Sequence, residues 1–144
     1  MFKDLETGAV GARISLDALV AALRFDDRGL IPAVAQQHDT KEVLMLAWMN
    51  HAAVTETLTT RQVCYYSRSR QALWRKGEVS GNRQILVELR VDCDGDTLLL
   101  LVQQNGPACH TGRHTCFYTR SRDDGDAEVF LPIEVPPEDM YRGG

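Results

Sequence analysis

The chain has 144 residues, 44% of them hydrophobic, and a formal net charge of −4. This length suits one ordinary domain and excludes a second catalytic domain of usual size, and the negative charge argues against general nucleic-acid binding. No apolar run reaches about 18 residues, so no transmembrane helix is predicted. The N-terminus lacks the charged-then-apolar plan of a secretory signal, and we expect a cytoplasmic protein without a membrane partner.

The first half of the chain predicts two short helices and a β-hairpin. Ser15 can serve as the N-cap of a helix within residues 15–25. Apolar runs of strand length at 29–37 and 42–49, separated by the polar stretch HDTK, predict a hairpin. Asn50 can then cap a second helix, which continues through HAAVTETLTT.

The second half of the chain predicts five more strands and a long polar loop at 71–83. The predicted strands are 62–69, 84–93, 97–104, 115–120 and 127–132. Most connections between strands are too short for helical crossovers. About seven strands and two short helices therefore predict an α+β fold with a mostly antiparallel sheet.

The clearest alternation of polarity falls in residues 84–93. The residues predicted to share its apolar face are Ile85, Val87, Leu89, Val91 and Cys93. The residues predicted to share the polar face are Glu88, Arg90 and Asp92. Cys93 is therefore expected to point away from its neighbouring aspartates.

Asp92, Asp94 and Asp96 alternate along the stretch VDCDGD. In an extended strand, neighbouring carboxylates would share one face about 6–7 Å apart. Alternatively, Asp94 and Gly95 form a hairpin turn with the three acids around its tip. Both geometries gather three anions, which favours a bound Mg²⁺ or Ca²⁺ ion. A solvated hairpin tip without a metal is the plainer alternative.

Three of the four cysteines, Cys93, Cys109 and Cys116, are candidate metal ligands. In a reducing cytosol, clustered cysteines more often bind metal or catalyse than form disulfides. His110 and His114 lie between Cys109 and Cys116, and thiolates and imidazoles are zinc ligands. Three cysteines with one open position would form a catalytic zinc site, whereas an added histidine would close it into a structural one.

Residues 61–83 form a basic segment with six Lys or Arg residues and one acidic residue. Serines and glycines are interleaved with these cations, and hydroxyls, guanidinium groups and exposed amides are suitable partners for phosphate oxygens. Trp74 could stack on a base or simply anchor the segment. A solvated positive loop is the alternative.

Four stretches of the sequence carry a family resemblance. They are VLMLAWMN (43–50), YYSRSRQALWRKGEVSGNRQ (65–84), DCDGDTLLLLV (92–102) and GPACHTGRHTCF (106–117). In this order they resemble the phosphoribosyl-AMP cyclohydrolases of histidine biosynthesis. The resemblance places a catalytic domain at 25–120, preceded by a lead-in with a short helix at 1–24 and followed by a C-terminal extension at 121–144.

The resemblance implies an enzyme that hydrolyses the N1–C6 bond of the adenine ring in N1-(5-phosphoribosyl)-AMP, yielding the formimino-carboxamide ribonucleotide. It also implies an intertwined homodimer with one zinc ion per subunit. Cys93 of one subunit would complete the zinc site formed by Cys109 and Cys116 of the other. The residues that would bind Mg²⁺ nearby are Asp92, Asp94 and Asp96.

Several further roles are expected from a hypothesis about the mechanism, in which His110 is adjacent to the ligand Cys109. His110 is the first candidate for proton transfer and His114 the second. The residues expected to hold phosphate or ribose groups are Ser67, Arg68, Lys76 and Ser80. Two hypotheses from other classes compete: a zinc-stabilised module that binds nucleotides, which the acidic net charge disfavours, and a redox domain, in which the aspartates would have no role.

Overall fold

The structure is a computed structural model, and it describes residues 1–140. Its helices are α1 (Phe2–Leu5), α2 (Leu16–Ala22), α3 (His51–Thr60) and α4 (Pro137–Met140). Its strands are β1 (Ile31–Gln37), β2 (Val43–Met49), β3 (Cys64–Ser67), β4 (Ala72–Arg75), β5 (Gln84–Val91), β6 (Leu98–Gln104), β7 (Thr119–Ser121) and β8 (Ala127–Val129). Within this range, no helix has the length and apolar character needed to cross a bilayer.

A four-stranded sheet in the order β2-β1-β6-β5 forms the centre of the molecule. The β1–β2 and β5–β6 pairs are antiparallel, and so are two separate hairpins, β3–β4 and β7–β8. The predicted α+β fold with a mostly antiparallel sheet is confirmed. Its exception is the parallel β1–β6 pair, which forms because the long chain between these strands can return to the same end of the sheet.

The local signals for helix starts are confirmed. The Ser15 hydroxyl accepts a hydrogen bond from the Ala18 N–H at 3.1 Å, and the Asn50 side chain accepts one from the Ala53 N–H at 2.8 Å. The expectation of two helices was too low for residues 1–140, which contain four. The two that were not predicted, α1 and α4, are single turns of four residues each. Residues 141–144 of the expected C-terminal extension lie outside the described residues.

The prediction of a continuous polar loop at 71–83 was wrong, because this range contains β4. The strand pairs with β3 so that Trp74 lies opposite Tyr65, with ring centroids 5.1 Å apart. Tyr65 is fully buried, and its hydroxyl donates a hydrogen bond to Gln84 Oε1 at 2.7 Å. The strand was not predicted because Trp74 is followed by the charged residues Arg75 and Lys76, which are typical of a polar loop.

The predicted apolar face of β5 was also wrong in its first half. The register of the β5–β6 pair shifts between Leu86 and Glu88, which is a β-bulge at Val87. Leu86 is 3% exposed and lies in the core, whereas Val87 is 46% exposed. A single extra residue reverses the faces of the strand, because side chains alternate with a period of two. Leu89 packs against the core beyond the bulge, as predicted.

The hydrophobic core lies between the central sheet and α3. Its residues from β1 and β6 are Ile31, Ala33, Ala35, Leu98, Leu100 and Val102, and those from α3 are Ala53 and Val54. Thr57 of α3 is also buried, and its hydroxyl accepts a hydrogen bond from the Cys64 N–H at 2.9 Å. Cys64 is thus a packing residue at the junction of α3 and β3.

Gly77 and Gly81 offer a matched test of backbone strain in the basic segment. Their φ angles are +84° and +80°. A Cβ added at Gly77 would lie 2.5 Å from the Arg83 nitrogen, whereas one at Gly81 would meet nothing within 4 Å. We expect Gly81→Ala to lower the free energy of unfolding by about 1–2 kcal/mol, and Gly77→Ala by roughly 1–3 kcal/mol more because the backbone must shift. Urea unfolding measures both losses, and equal losses would contradict the prediction.

Candidate functional site

The acidic residues lie in the connection between β5 and β6, which we call the acidic turn (residues 92–97). The Gly95 N–H donates to the Asp92 carbonyl at 3.1 Å, and the Asp92 N–H donates to the Thr97 carbonyl at 3.0 Å. Of the two predicted geometries a turn is observed, with the three acids around its tip, but the predicted turn pair of Asp94 and Gly95 was wrong by one residue. Its central residues are Cys93 and Asp94, and Gly95 follows with a φ of +76° that favours glycine.

Each aspartate of the acidic turn offers a carboxylate oxygen, and these oxygens all lie within 4.8 Å of one another. The Asp92 carboxylate also accepts the Asp96 N–H at 3.0 Å. The pKa of Asp96 is raised, first by a hydrogen bond shared with the Asp92 carboxyl, together with desolvation and repulsion from Asp92 and Asp94. All three are exposed. Three close oxygen ligands fit a hard divalent cation such as Mg²⁺.

Cys109 and Cys116 lie on the loop after β6, and each thiol shifts the pKa of the other. Cys109 is buried, and its sulfur accepts a hydrogen bond from the Thr111 hydroxyl at 3.1 Å. The Cys116 N–H donates to the Leu44 carbonyl at 2.7 Å, which ties the loop to β2. The fold thus brings two soft ligands together although six residues separate them in sequence.

The two thiols differ in acidity. Burial of the sulfur and the neighbouring Cys109 raise the pKa of Cys116 to about 12, although the residue as a whole is exposed. Burial also opposes ionisation of Cys109, but hydrogen bonds from Thr111, together with the effects of Cys116 and Lys76, lower the pKa of that thiol. Cys109 is therefore the readier of the two to act as a thiolate. Zinc ligation requires thiolates, and the pair would supply two of four tetrahedral positions.

Cys93 occupies the centre of the acidic turn and is exposed. The strand ends at Val91, and Cys93 lines a surface pocket together with Leu89 and Val91 of that strand. Within residues 1–140, no group of potential ligands joins Cys93 to Cys109 and Cys116. A single subunit does not assemble the three predicted zinc ligands.

The two candidate histidines have different surroundings. His110 is exposed beside the buried Cys109. His114 instead bridges two carboxylates, with Nδ1 2.8 Å from Glu134 and Nε2 2.9 Å from Glu42. The hydrogen bond with Glu42 and then that with Glu134 raise the pKa of His114. Sequence reasoning missed both glutamates, because they lie 72 and 20 residues from the histidine.

Lys76 connects the basic segment to the cysteine loop. Its ammonium group donates a short hydrogen bond to the Ala108 carbonyl, beside Cys109. Burial lowers the pKa of Lys76, and the nearby thiols Cys116 and Cys109 partly oppose that shift. A cleft of ≈ 330 Å³ opens next to it, lined among others by Trp74, Lys76 and Ser80. Two of the four predicted phosphate or ribose contacts therefore share one cleft.

The other two candidates lie nearer the start of the basic segment. The Arg68 guanidinium lies 4.9 Å from the centroid of the Trp48 ring. The Ser67 hydroxyl accepts the Arg70 N–H at 3.2 Å, within the turn between β3 and β4. Neither residue lines the cleft beside Lys76.

The chain thus combines a turn of oxygen ligands, a thiol pair and a basic cleft in one α+β fold. This combination is typical of metal-dependent enzymes that act on phosphorylated substrates. The family model described as phosphoribosyl-AMP cyclohydrolase matches residues 45–118. The chain belongs to that family, and it is a hydrolase.

Individual relatives extend the match over almost the whole chain. The phosphoribosyl-AMP cyclohydrolase of Alkalilimnicola ehrlichii is 62% identical, covering 98% of this chain and 99% of the relative. That of Hydrogenovibrio crunogenus is 56% identical, covering 98% and 95%. That of Rhodospirillum centenum is 62% identical over 90% of this chain and 96% of the relative. The resemblance stated from the four sequence stretches is confirmed.

Proposed function

We propose that the protein hydrolyses the N1–C6 bond of the adenine ring in N1-(5-phosphoribosyl)-AMP, a step of L-histidine biosynthesis, at a zinc site shared between two subunits. The observation that carries the reaction is the match to its family at 62% identity over 98% of the chain. We place the reaction in the cytoplasm, where reducing conditions keep cysteine thiols available as metal ligands.

Zinc would be held by Cys109 and Cys116 of one subunit and by the partner subunit's Cys93. The effect of the first two thiols on each other's pKa supports this assignment. So does the exposure of Cys93, which places this residue at the surface of its subunit. When bound, the metal supplies Lewis-acid chemistry at neutral pH.

The sheet face opposite the core supports the homodimer. Val34 of β1 lies on that face, paired with Leu46 of β2 on one side and Leu99 of β6 on the other. Leu46 is 48% exposed. A row of apolar side chains across three strands favours coverage by another surface, and a second copy of the chain is the occupant that the shared zinc site requires.

The basic cleft would bind the phosphorylated end groups of the substrate. Lys76 and Ser80 line the cleft, and Trp74 offers a ring beside them. Charge-assisted hydrogen bonds from the ammonium group suit phosphate oxygens. Because Lys76 also contacts the Ala108 carbonyl, it would fix the bound substrate relative to the cysteine loop. Ser67 and Arg68 would contact the remaining phosphate or ribose groups.

The direct test is a spectrophotometric ring-opening assay with N1-phosphoribosyl-AMP, with and without a chelator, alongside metal analysis of the purified protein. We expect turnover, about one zinc ion per subunit, and loss of turnover with the chelator. Tight zinc without turnover would instead favour a nucleotide-binding module.

His110 would move the protons of the reaction. Ring opening takes a proton from the attacking water and delivers one to the departing ring nitrogen. His110 is exposed next to Cys109, whereas both ring nitrogens of His114 contact carboxylates. We expect His110→Ala to retain zinc and to lower kcat by about 10²–10⁴-fold. Steady-state kinetics measure the loss, with His38→Ala as the control, and a normal rate in the His110 variant would assign proton transfer elsewhere.

Asp94 tests the magnesium assignment, because Asp92 also accepts hydrogen bonds that shape the acidic turn. We expect Asp94→Asn to keep its zinc and to need about 10–100-fold more Mg²⁺ for half-maximal activity, a range typical of perturbed metal sites. Magnesium titration of the rate, with Asp123→Asn as the matched control, measures the shift. Loss of zinc from the Asp94 variant would contradict two separate metal sites.

A further inference from the structure

A segment of the C-terminal extension lies against the loop that carries Cys109 and Cys116. The N–H groups of Glu134 and Val135 both donate to the Gly112 carbonyl, at 3.0 and 3.2 Å. The Val135 carbonyl occupies the space that a Cβ at Gly112 would need, and the φ of +87° at this glycine is itself unfavourable for other residues. The absence of a side chain at Gly112 therefore allows the backbone of this segment to pack closely against the middle of the loop.

Two side chains of the loop add contacts to the same segment. Arg113 Nε donates to the Leu131 carbonyl at 2.9 Å. His114 Nδ1 lies 2.8 Å from the Glu134 carboxylate, and its other nitrogen lies 2.9 Å from Glu42, the residue before β2. Three consecutive loop residues, all between the two cysteines, are thus held by residues 131–135 and by the central sheet.

We propose that residues 131–135 form a strap that sets the relative position of the Cys109 and Cys116 thiols, with Glu134 as its main positioning residue. This inference rests on the proposed zinc site. The loop contains Gly106, Pro107 and Gly112 and no regular secondary structure, so on its own it would lose conformational entropy when both sulfurs are fixed. A strap that orders the loop beforehand removes that cost from metal binding.

The strap lies outside residues 45–118, which the family model matches. Its contacts are with the Gly112 carbonyl, the Arg113 side chain and His114, none of which ligates the metal in the proposed site. This is the arrangement by which residues outside a metal's ligand shell tune metal affinity through the ligands.

Glu134→Ala in the full-length protein tests the strap by two measurements. We expect the zinc-loaded variant to lose zinc to a chelator about tenfold or more faster, and amide exchange in residues 109–116 of the metal-free protein to accelerate. Glu134→Gln keeps an oxygen acceptor for His114 and should restore most of both properties. The matched control is Glu128→Ala, which removes a carboxylate of the same extension that pairs with Arg120 and Arg122 instead.

Equal zinc loss and equal loop exchange in Glu134→Ala and Glu128→Ala would overturn the strap. Faster exchange confined to 109–116 would support it, even if the unsubstituted protein held no zinc and the proposed zinc site failed. If Glu134→Ala does not fold, Arg113→Gln removes the contact with Leu131 and is judged by the same two measurements. A general loss of stability, with exchange accelerated throughout the chain, would also count against a local strap.

Discussion

Replacing Cys109 with alanine should remove zinc and activity together. Cys109 is buried and accepts a hydrogen bond from Thr111, so no water molecule can easily take the place of its sulfur. With one thiolate fewer, the proposed site has two protein ligands in place of three, too few for a zinc ion at this kind of centre. We expect a loss in kcat/KM on the order of 10³-fold or more, the scale seen when a principal catalytic group is removed.

Metal analysis and the ring-opening assay on the same preparation check this result. Cys64→Ala is the matched control, because Cys64 is also a buried cysteine but packs in the hydrophobic core and is not a proposed zinc ligand. It should lower stability, as large-to-small core changes do, while zinc content and rate per folded molecule stay normal. Full zinc and a full rate in Cys109→Ala would rule out the three-thiolate site.

Mixing two inactive variants, Cys93→Ala and Cys109→Ala, should restore activity. In a heterodimer of these subunits, one zinc site contains both substitutions and the other contains neither. Random exchange makes about half of all dimers heterodimers, each with one intact site of two, so about a quarter of the unsubstituted rate should return. This recovery follows from the separation of Cys93 from the thiol pair within one subunit.

A mixture of Cys109→Ala with Cys116→Ala is the control, because both substitutions fall in the thiol pair of one subunit. Every site in that heterodimer lacks one ligand, and we expect no recovery. The subunits should be mixed in mild denaturant and returned to buffer, so that exchange is complete. Absence of recovery in the Cys93 and Cys109 mixture, with heterodimers demonstrated, would show that the site is not shared in this way.

Much of the secondary structure could be predicted because its causes are local. Ser15 and Asn50 cap helices through hydrogen bonds to residues three positions away. The β1–β2 hairpin follows from two apolar runs joined by a short polar stretch. These interactions depend on neighbours in the chain, and the sequence displays those neighbours directly.

The errors occur where pairing with distant residues overrides a local pattern. The alternation in β5 predicts Val87 on the buried face, but the bulge against β6 exposes it and buries Leu86. The local sequence predicts a polar loop around Trp74, but β4 pairs with β3 and places the Trp74 ring against Tyr65. In both cases the partner strand decides which side chain is buried.

For the candidate site, the sequence by itself determined the chemical types of the groups and the family. Short motifs identify all of these groups: three aspartates around one turn, two cysteines that flank histidines, and a basic segment. Only the tertiary structure decided how these groups are arranged: His114 lies between Glu42 and Glu134, and Cys93 lies apart from the thiol pair. The physical reason is that ligand types follow from side-chain chemistry, whereas their distances follow from contacts between residues far apart in the chain.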